Sequence, residues 1–514
     1  MKGFHARDYH FLPTEVHFWT TDSGLQKMYD LGEKFLKKNE MVYNDKKAIK
    51  EGATYPFLWL ETQPMGGEMY AKRNIEAGLN NILIFMQYQR KDGRFPGMIS
   101  EDNGRIVGNY DWMQGYYFAQ PAFKLWYLIG KDRGYLEKLY HALEDFDDYL
   151  WSYRDSDGDG CLETWCVWDT GEDNCTRFLN FGAQDGCFGG ETAPVGKGKL
   201  PYESMEYMAY SYGNRHVLSE ISAILDNGKA DYWKEQARKV QEKVKAYLWI
   251  PPKHACYDRD CNNEFLDCLS HVNLRCMYHG LFTQQMAEEF LTYHLFNPQD
   301  FWTPYPLPSI SIRDALFKND PDNNWSGPCE GLTYQRAIAA LHNYGHYAEC
   351  LWIGRKVLEL VCKNGAFYQQ YDPFTGEKGN GKDGYGPMIF AFLEYLSLLQ
   401  GVNFSMDEIY WSDAVGCADS EYTQKMLGKE YKAVRKAGIL YARIDGKELF
   451  TLSEGLRAVT DPDGNLLRVQ CIDEIGEGTV KIGKTVFAGK TEPNGIYECK
   501  GNELVRVGGV PFLL

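Results

Sequence analysis

The segment Trp165-Cys-Val-Trp168-Asp169-Thr-Gly171-Glu172-Asp173-Asn174-Cys-Thr-Arg177-Phe178 gathers two tryptophans, three carboxylates, an amide and an arginine, with neither helical nor strand periodicity. Tryptophan faces make platforms for the C–H faces of sugar rings. A pair of carboxylates supplies the acid and the base of glycoside cleavage. Asp169, Glu172 and Asp173 compete for the acid role; Asp173 lies deepest in the stretch, with Asn174 placed to orient it and Arg177 following. A buried irregular loop with surface acids is the plain alternative, and two tryptophans so close together argue against it.

Two more clusters carry acids. Asn323-Asn-Trp325-Ser-Gly327-Pro328-Cys-Glu330-Gly331 puts Glu330 at the start of an expected helix, where the dipole stabilises a carboxylate, and that structural role is favoured over catalysis. Tyr368-Gln369-Gln370-Tyr371-Asp372-Pro373-Phe-Thr375-Gly376-Glu377 is followed by Gly379, Gly381 and Gly384, which allow a close approach of backbone to ligand or simply make a long turn. Asp155-x-Asp157-x-Asp159-Gly160 begins like a calcium loop, but Cys166 stands at its twelfth position instead of glutamate. Calcium is therefore a minor expectation and no other cofactor is expected. His342 and His346 lie four apart without the glutamate of a zinc-protease motif, and Gly345 interrupts the helix between them; they read as helix-joining residues.

The elements that must position these clusters are helices. Leu25, Met28, Leu31 and Phe35 mark one over 22–38; Ile75, Leu79, Ile82, Leu83 and Met86 mark the clearest, and Leu136, Leu139, Leu143, Phe146 and Leu150 another. Further helical patterns fall at 114–129, 203–225, 232–248, 264–278, 284–293, 331–341, 347–362 and 387–399, while 55–68 reads as a Gly/Pro/aromatic loop. Eleven or twelve helices with alternating short and long connections, and no alternating strands, predict a mainly α fold, an (α/α)6 barrel, over residues 1–401. Past Gly401, Tyr431-Lys-Ala-Val-Arg, Gly438-Ile-Leu-Tyr-Ala-Arg-Ile and Leu467-Arg-Val-Gln-Cys-Ile read as strands joined by Asp445-Gly, Pro462-Asp-Gly and Pro493-Asn-Gly turns. Residues 402–514 are expected to form a small β-rich domain, with packing, oligomer contact or specificity all open as its role.

The net charge of −16 argues against nucleic acid or an anionic membrane as partner. No apolar run approaches the roughly 18 residues of a membrane span. Fourteen scattered cysteines, and a first segment Met1-Lys-Gly-Phe-His-Ala-Arg-Asp with no signal-peptide core, predict reduced thiols in a cytoplasm. Aromatics reach 15%, a share that suits a carbohydrate cleft. The expected partner is a small saccharide or glycoside, with a homo-oligomer left open.

Asp169-Thr-Gly171-Glu172-Asp173-Asn174 resembles the E/D-S-G-x-D-N signature of glycoside hydrolase family 63 and its mannosylglycerate- and glucosylglycerate-hydrolase relatives. Pro304-Tyr-Pro-Leu307-Pro308-Ser309 and Trp325-Ser-Gly327-Pro328 are similar to its G-L-P-S and Y-W-R-G-P elements, and Tyr371-Asp-Pro373-Phe-Thr375-Gly376-Glu377 to its E-x-Y-x-P-x-T-G-E element. The matches fall in order over about residues 50–400. The resemblance implies an (α/α)6 barrel, an inverting exo-acting mechanism on a small α-linked gluco- or manno-configured glycoside, and Asp173 as general acid. It places Trp59, Glu61, Gln63, Glu68 and Gln120 along the sugar pocket, joined by Trp165, Trp168, Asp169, Asn174, Arg177, Trp325 and Tyr371 as substrate-binding residues. Arg73 and Arg177 are candidates for holding a carboxylate, although arginines more often pair with internal acids.

The family's basic glutamate falls on Gln369, an amide that takes no proton from water at neutral pH. Three readings stay open: Glu377, Glu330 or Asp372 supplies the base; the protein binds sugar without hydrolysing it; or the glutamine replaces an original glutamate.

Overall fold

The computed structural model describes residues 2–102, 105–179, 191–196, 198–474 and 476–514. Its helices are α1 (Ser23–Asn39), α2 (Gln63–Ala71), α3 (Ile75–Gln87), α4 (Ala119–Leu128), α5 (Arg133–Tyr153), α6 (Thr176–Leu179), α7 (Met205–Leu225), α8 (Ala230–Tyr247), α9 (Val272–Tyr278), α10 (Gln284–Phe290), α11 (Gly331–His342), α12 (Tyr347–Asn364) and α13 (Gly386–Leu399). Their starts follow local chemistry: Asp22, Asn74, Asp132, Ser204 and Thr283 each accept a hydrogen bond from a first-turn N–H.

Six of these helices touch in sequence, α2 to α4, α4 to α7, α7 to α9, α9 to α11 and α11 to α13, and α13 returns to α2. The burial agrees with an inner position: every residue of α2, α9 and α13 is buried, whereas α1, α5 and α8 bury one stripe. Two expectations change. Residues 63–71, read as loop from Pro64, Gly66 and Gly67, form α2; Pro64 sits in the first turn, where its missing N–H costs nothing. Gly67 and Gly78 let α2 and α3 press together, since a Cβ on either would strike the other's carbonyl oxygen. Residues 264–271, expected to be helical, are turn and extended chain that leads into α9.

α13 runs directly into the strand Gln400–Ser405, and the chain then builds most of a 13-stranded sheet. Its remaining strand, Glu15–Thr20, comes from the other end of the chain and pairs antiparallel with Ser420–Met426, Phe18 opposite Tyr422. The sequence reading missed this strand, although its exposure alternates residue by residue. No helix among the described residues is long and apolar enough to cross a membrane.

Candidate active site

The three acids of the opening segment have different surroundings. A short 3-10 turn, Val167–Thr170, ends at Gly171 in the left-handed region, φ +75°. Asp169 is fully buried; it accepts from Arg154 Nη1 at 2.6 Å and from the N–H groups of Met113 and Trp165 at 2.9 Å each. Burial opposes its ionisation, but Arg154 and these donors hold its carboxyl below the usual range. Glu172 pairs with Arg177 and meets His271 Nε2 at 3.1 Å; Arg177 and Arg275 outweigh its burial and keep it ionised. Asp173 has no such cation among the described residues. Burial raises its pKa, and the hydrogen bond from Asn323 Nδ2, 2.8 Å, offsets only part of that. Two of the acids are thus paired with buried cations, and the pKa of the third is raised.

Asp173 faces a cavity of about 430 Å³. Its walls are aromatic: Tyr55, Trp59, Trp112, Trp168, Trp325 and Tyr385, with Trp112 and Trp168 edge to face at 5.1 Å. Its polar groups are Glu51, Glu61, Gln114, Asn174, Asn323 and Gln369. The Asn323 amide bridges the cavity, donating to Asp173 and accepting from Gln369 Nε2 at 2.9 Å, while Tyr55 Oη donates to Gln369 Oε1 at 2.7 Å. Gln369 therefore stands one side-chain amide and two hydrogen bonds from the acid.

More carboxylates crowd this site than it has cations to neutralise. Burial lifts Glu61 to about 7, against the pull of Arg336, whose Nη2 lies 3.1 Å from Oε2, and of Arg275. Glu61 packs on the backbone of Gly171, where a Cβ would land on its carboxylate. Burial, with Glu61 nearby, pushes Glu51 well above the usual range despite hydrogen bonds from Tyr385 and Thr62. Glu330 is fully buried behind the cavity, and neither carboxylate oxygen has a partner among the described residues. Burial and then the charges of Asp173 and Glu61 keep it neutral.

Of the residues singled out in the sequence, Trp59, Glu61, Trp168, Asp173, Asn174, Trp325 and Gln369 line the cavity. The others are placed differently. Glu377 is exposed, 3.7 Å from Lys363. Gln63 donates to the carbonyl of Ile49 at 2.8 Å, and Tyr371 is fully buried under the amide of Tyr368. Trp165 stacks on Arg154, 4.1 Å from ring centre to guanidinium, and donates to Glu163. Arg177 is spent on Glu172 and Asp258, and Arg73 on Glu33. Glu68 and Gln120 line a different cavity. Glu51, Tyr55, Trp112, Gln114 and Tyr385 were missed; each lies outside the motifs, and only the folding of the chain around the ring brings them in.

The Asp155, Asp157 and Asp159 carboxylates converge, and Asp157 also meets Glu163 and Glu203. Glu163 and Glu203 face each other across a two-stranded pairing. Glu203 Oε2 is buried without a partner among the described residues, and burial with Asp159 nearby raises its pKa to about 8. These two triads share Asp157, and oxygen donors of this kind are ones that a hard cation accepts.

Residues 71–386 match the family described as mannosylglycerate hydrolase MGH1-like glycoside hydrolase domain. Comparison with curated proteins finds no match. Among solved structures, the GH63 mannosylglycerate hydrolase from Thermus thermophilus in complex with glucose is 16% identical with TM-score 0.59, over 72% of this chain and 99% of that one. Neutral trehalase from Saccharomyces cerevisiae is 13% identical with TM-score 0.52, over 72% and 80%. The α-L-rhamnosidase from Dictyoglumus thermophilum is 13% identical with TM-score 0.57, over 88% and 47%. These likenesses speak for the fold, and the family match, across more than half of the chain, speaks for the chemistry. The chain belongs to the mannosylglycerate hydrolase MGH1-like glycoside hydrolases and is a glycoside hydrolase.

Proposed function

We propose that the protein is an inverting, exo-acting hydrolase of a small α-linked gluco- or manno-configured glycoside, with Asp173 as the general acid. The observation that carries this reading is the position of Asp173: a carboxyl raised by burial, with no cation beside it among the described residues, in an aromatic cavity of about 430 Å³. A sugar entering the cavity displaces water and raises it further. We read the closed succession of six inner helices as an (α/α)6 barrel over residues 1–401 and the sheet as a domain over 402–514, supplemented by the strand Glu15–Thr20.

The base is assigned to Glu61. Glu377 is on the surface, Glu330 is fully buried with its pKa raised well above the usual range, and Glu51 has no cation beside it among the described residues. Glu61 has Arg336 beside it and a pKa near the working range of a general base. Asp173 and Glu61 also repel each other's ionisation, so a proton on Asp173 favours a charge on Glu61. The acid and base states support each other. Tyr55 and Gln369 then orient a water or a sugar hydroxyl by hydrogen bonding. A calcium ion at either of the acidic triads around Asp157 would have a structural role, outside this chemistry. The relative solved with glucose supports the size of the sugar, and the other relatives leave its identity between gluco and manno forms.

Proton NMR of the first-released sugar tests the assignment. The inverted anomer is expected, Glu61→Gln loses turnover, and azide restores it with formation of an inverted glycosyl azide. Retention of configuration, or a gain above the native rate in Gln369→Glu with no loss in Glu61→Gln, overturns it.

A further inference from the structure

The far end of the helix ring holds a second cavity, of about 350 Å³, that shares no lining residue with the first. α2, α4, α7, α9, α11 and α13 all reach it, and the sheet closes it through Asn403–Met406, Tyr410, Arg457, Arg468 and Gln470. Most of its charges are already paired. Lys72 is bound to Glu394 and Asn403, Arg468 forks onto Glu408 at 2.6 and 2.7 Å, and Glu220 lies 4.0 Å from His216.

Arg457 is different. It is 1% exposed, yet its hydrogen bonds go to Ser412 Oγ at 2.9 Å and the carbonyl of Leu398 at 3.4 Å, and its charged or ionisable neighbours are Cys350, Tyr410, Tyr347 and Arg468. No carboxylate among the described residues neutralises it. A buried guanidinium without a counter-ion is costly, and buried charges are otherwise found paired. Lys124 adds a second cation, without an ion-pair partner among the described residues, on the same cavity wall. Both act on His342, whose Nε2 is buried and unpartnered among the described residues, and together with burial they drive its ring to the neutral form. Glu68 also lines this cavity but acts on Tyr278; it is absent from the charges that His342 feels. Two cations, Arg457 and Lys124, thus flank the neutral ring of His342, and no ion pair among the described residues joins either of them to the acids Glu68 and Glu220 that also line the cavity.

We propose that this cavity is a second ligand site, for a small oxyanion of the carboxylate or phosphate class, bound in the lobe formed by Arg457, Lys124 and His342. The planar guanidinium fork matches either group. The anion joins α4 and α11 to the strand Leu456–Thr460, so it ties the ring to the sheet at a place remote from Asp173.

The test titrates inorganic phosphate and, separately, malonate into the full-length protein at constant ionic strength, with melting temperature and calorimetric binding as readouts. A saturable rise in melting temperature is expected for at least one of them, as for any ligand that binds only the folded state. Response to phosphate alone assigns a phosphate ester, and response to malonate alone a carboxylate. Lys124→Glu, on a half-buried helix position, should weaken binding at least tenfold without lowering the anion-free melting temperature. Arg457→Gln should do the same where it folds. In protein labelled at histidine, the anion should raise the pKa of His342, which a purely structural Lys124 would not move. Asp173→Asn should bind the anion as the native protein does. The proposal fails if neither anion binds, if Lys124→Glu binds as tightly as native, or if Asp173→Asn loses the anion.

Discussion

The two ends of the helix ring enclose cavities of similar size and opposite character. At one end the lining comes from the segments that precede α2, α4, α6, α11 and α13, and it consists of aromatic rings and acids whose cations, Arg275 and Arg336, stand behind the wall. At the other end the lining comes from the helices themselves and from the sheet, and it includes a buried guanidinium, Arg457, that no carboxylate among the described residues neutralises. The loops can vary without disturbing packing, so they can hold groups that prefer to be neutral. The helices and strands cannot, and an unpaired cation there invites an anion from outside.

The contrast is broken most severely at Asp173. Asp173→Asn is expected to lower kcat by about 10²–10⁴, the range of lost general-acid catalysis, with sugar binding kept; steady-state kinetics and calorimetry check it. Arg177→Met removes the partner of two buried acids, Glu172 and Asp258, and should cost about 3–5 kcal/mol in denaturant unfolding. If it does not, these acids are not the anchors that separate them from Asp173.

The next effect is in pH. The folded-state pKa of Glu61, about 7, lies above its ordinary 4.5, so the folded protein holds the proton more tightly than the unfolded chain. Its contribution is full below about pH 4.5 and is lost as pH rises to about 7. Relative to the isosteric Glu61→Gln, native stability should fall across that window by an amount on the order of 3 kcal/mol. Gly171→Ala should cost about 1–3 kcal/mol and lower kcat, because it strains a left-handed residue and displaces the Glu61 carboxylate. The smallest change is at the acidic loop: calcium added to EDTA-treated protein should raise the melting temperature on the order of 2 °C, and Glu203→Gln should abolish the rise.

Much of this was legible in the chain. Ile75, Leu79, Ile82, Leu83 and Met86 announce α3, and the order of the helices, loops and β-rich tail follows from periodicity and turn residues. The acidic motif was equally visible, but the split within it was not. Asp169, Glu172 and Asp173 are chemically alike, and only Arg154, Arg177 and Arg275, brought from distant helices, tell them apart. Glu61 was read as a sugar contact; its likeness to a base comes from Arg336, 275 positions away. α2 was hidden by Pro64, Gly66 and Gly67, residues that break an exposed helix and serve a tightly packed one.

The strand Glu15–Thr20 has a consequence for how the chain is made. Its pairing partner lies near the other end, and Thr20 Oγ1 reaches the carbonyl of Asp419, 399 positions away. During synthesis Glu15–Thr20 cannot pair in the sheet until Ser420–Met426 has emerged from the ribosome, some four hundred positions later. The helices between them can form and pack on their chain neighbours meanwhile, although the contact of α13 with α2 that closes the ring also waits for residues 386–399. The N-terminal strand then acts as a latch, fastened only on a chain that has been translated past the helical region.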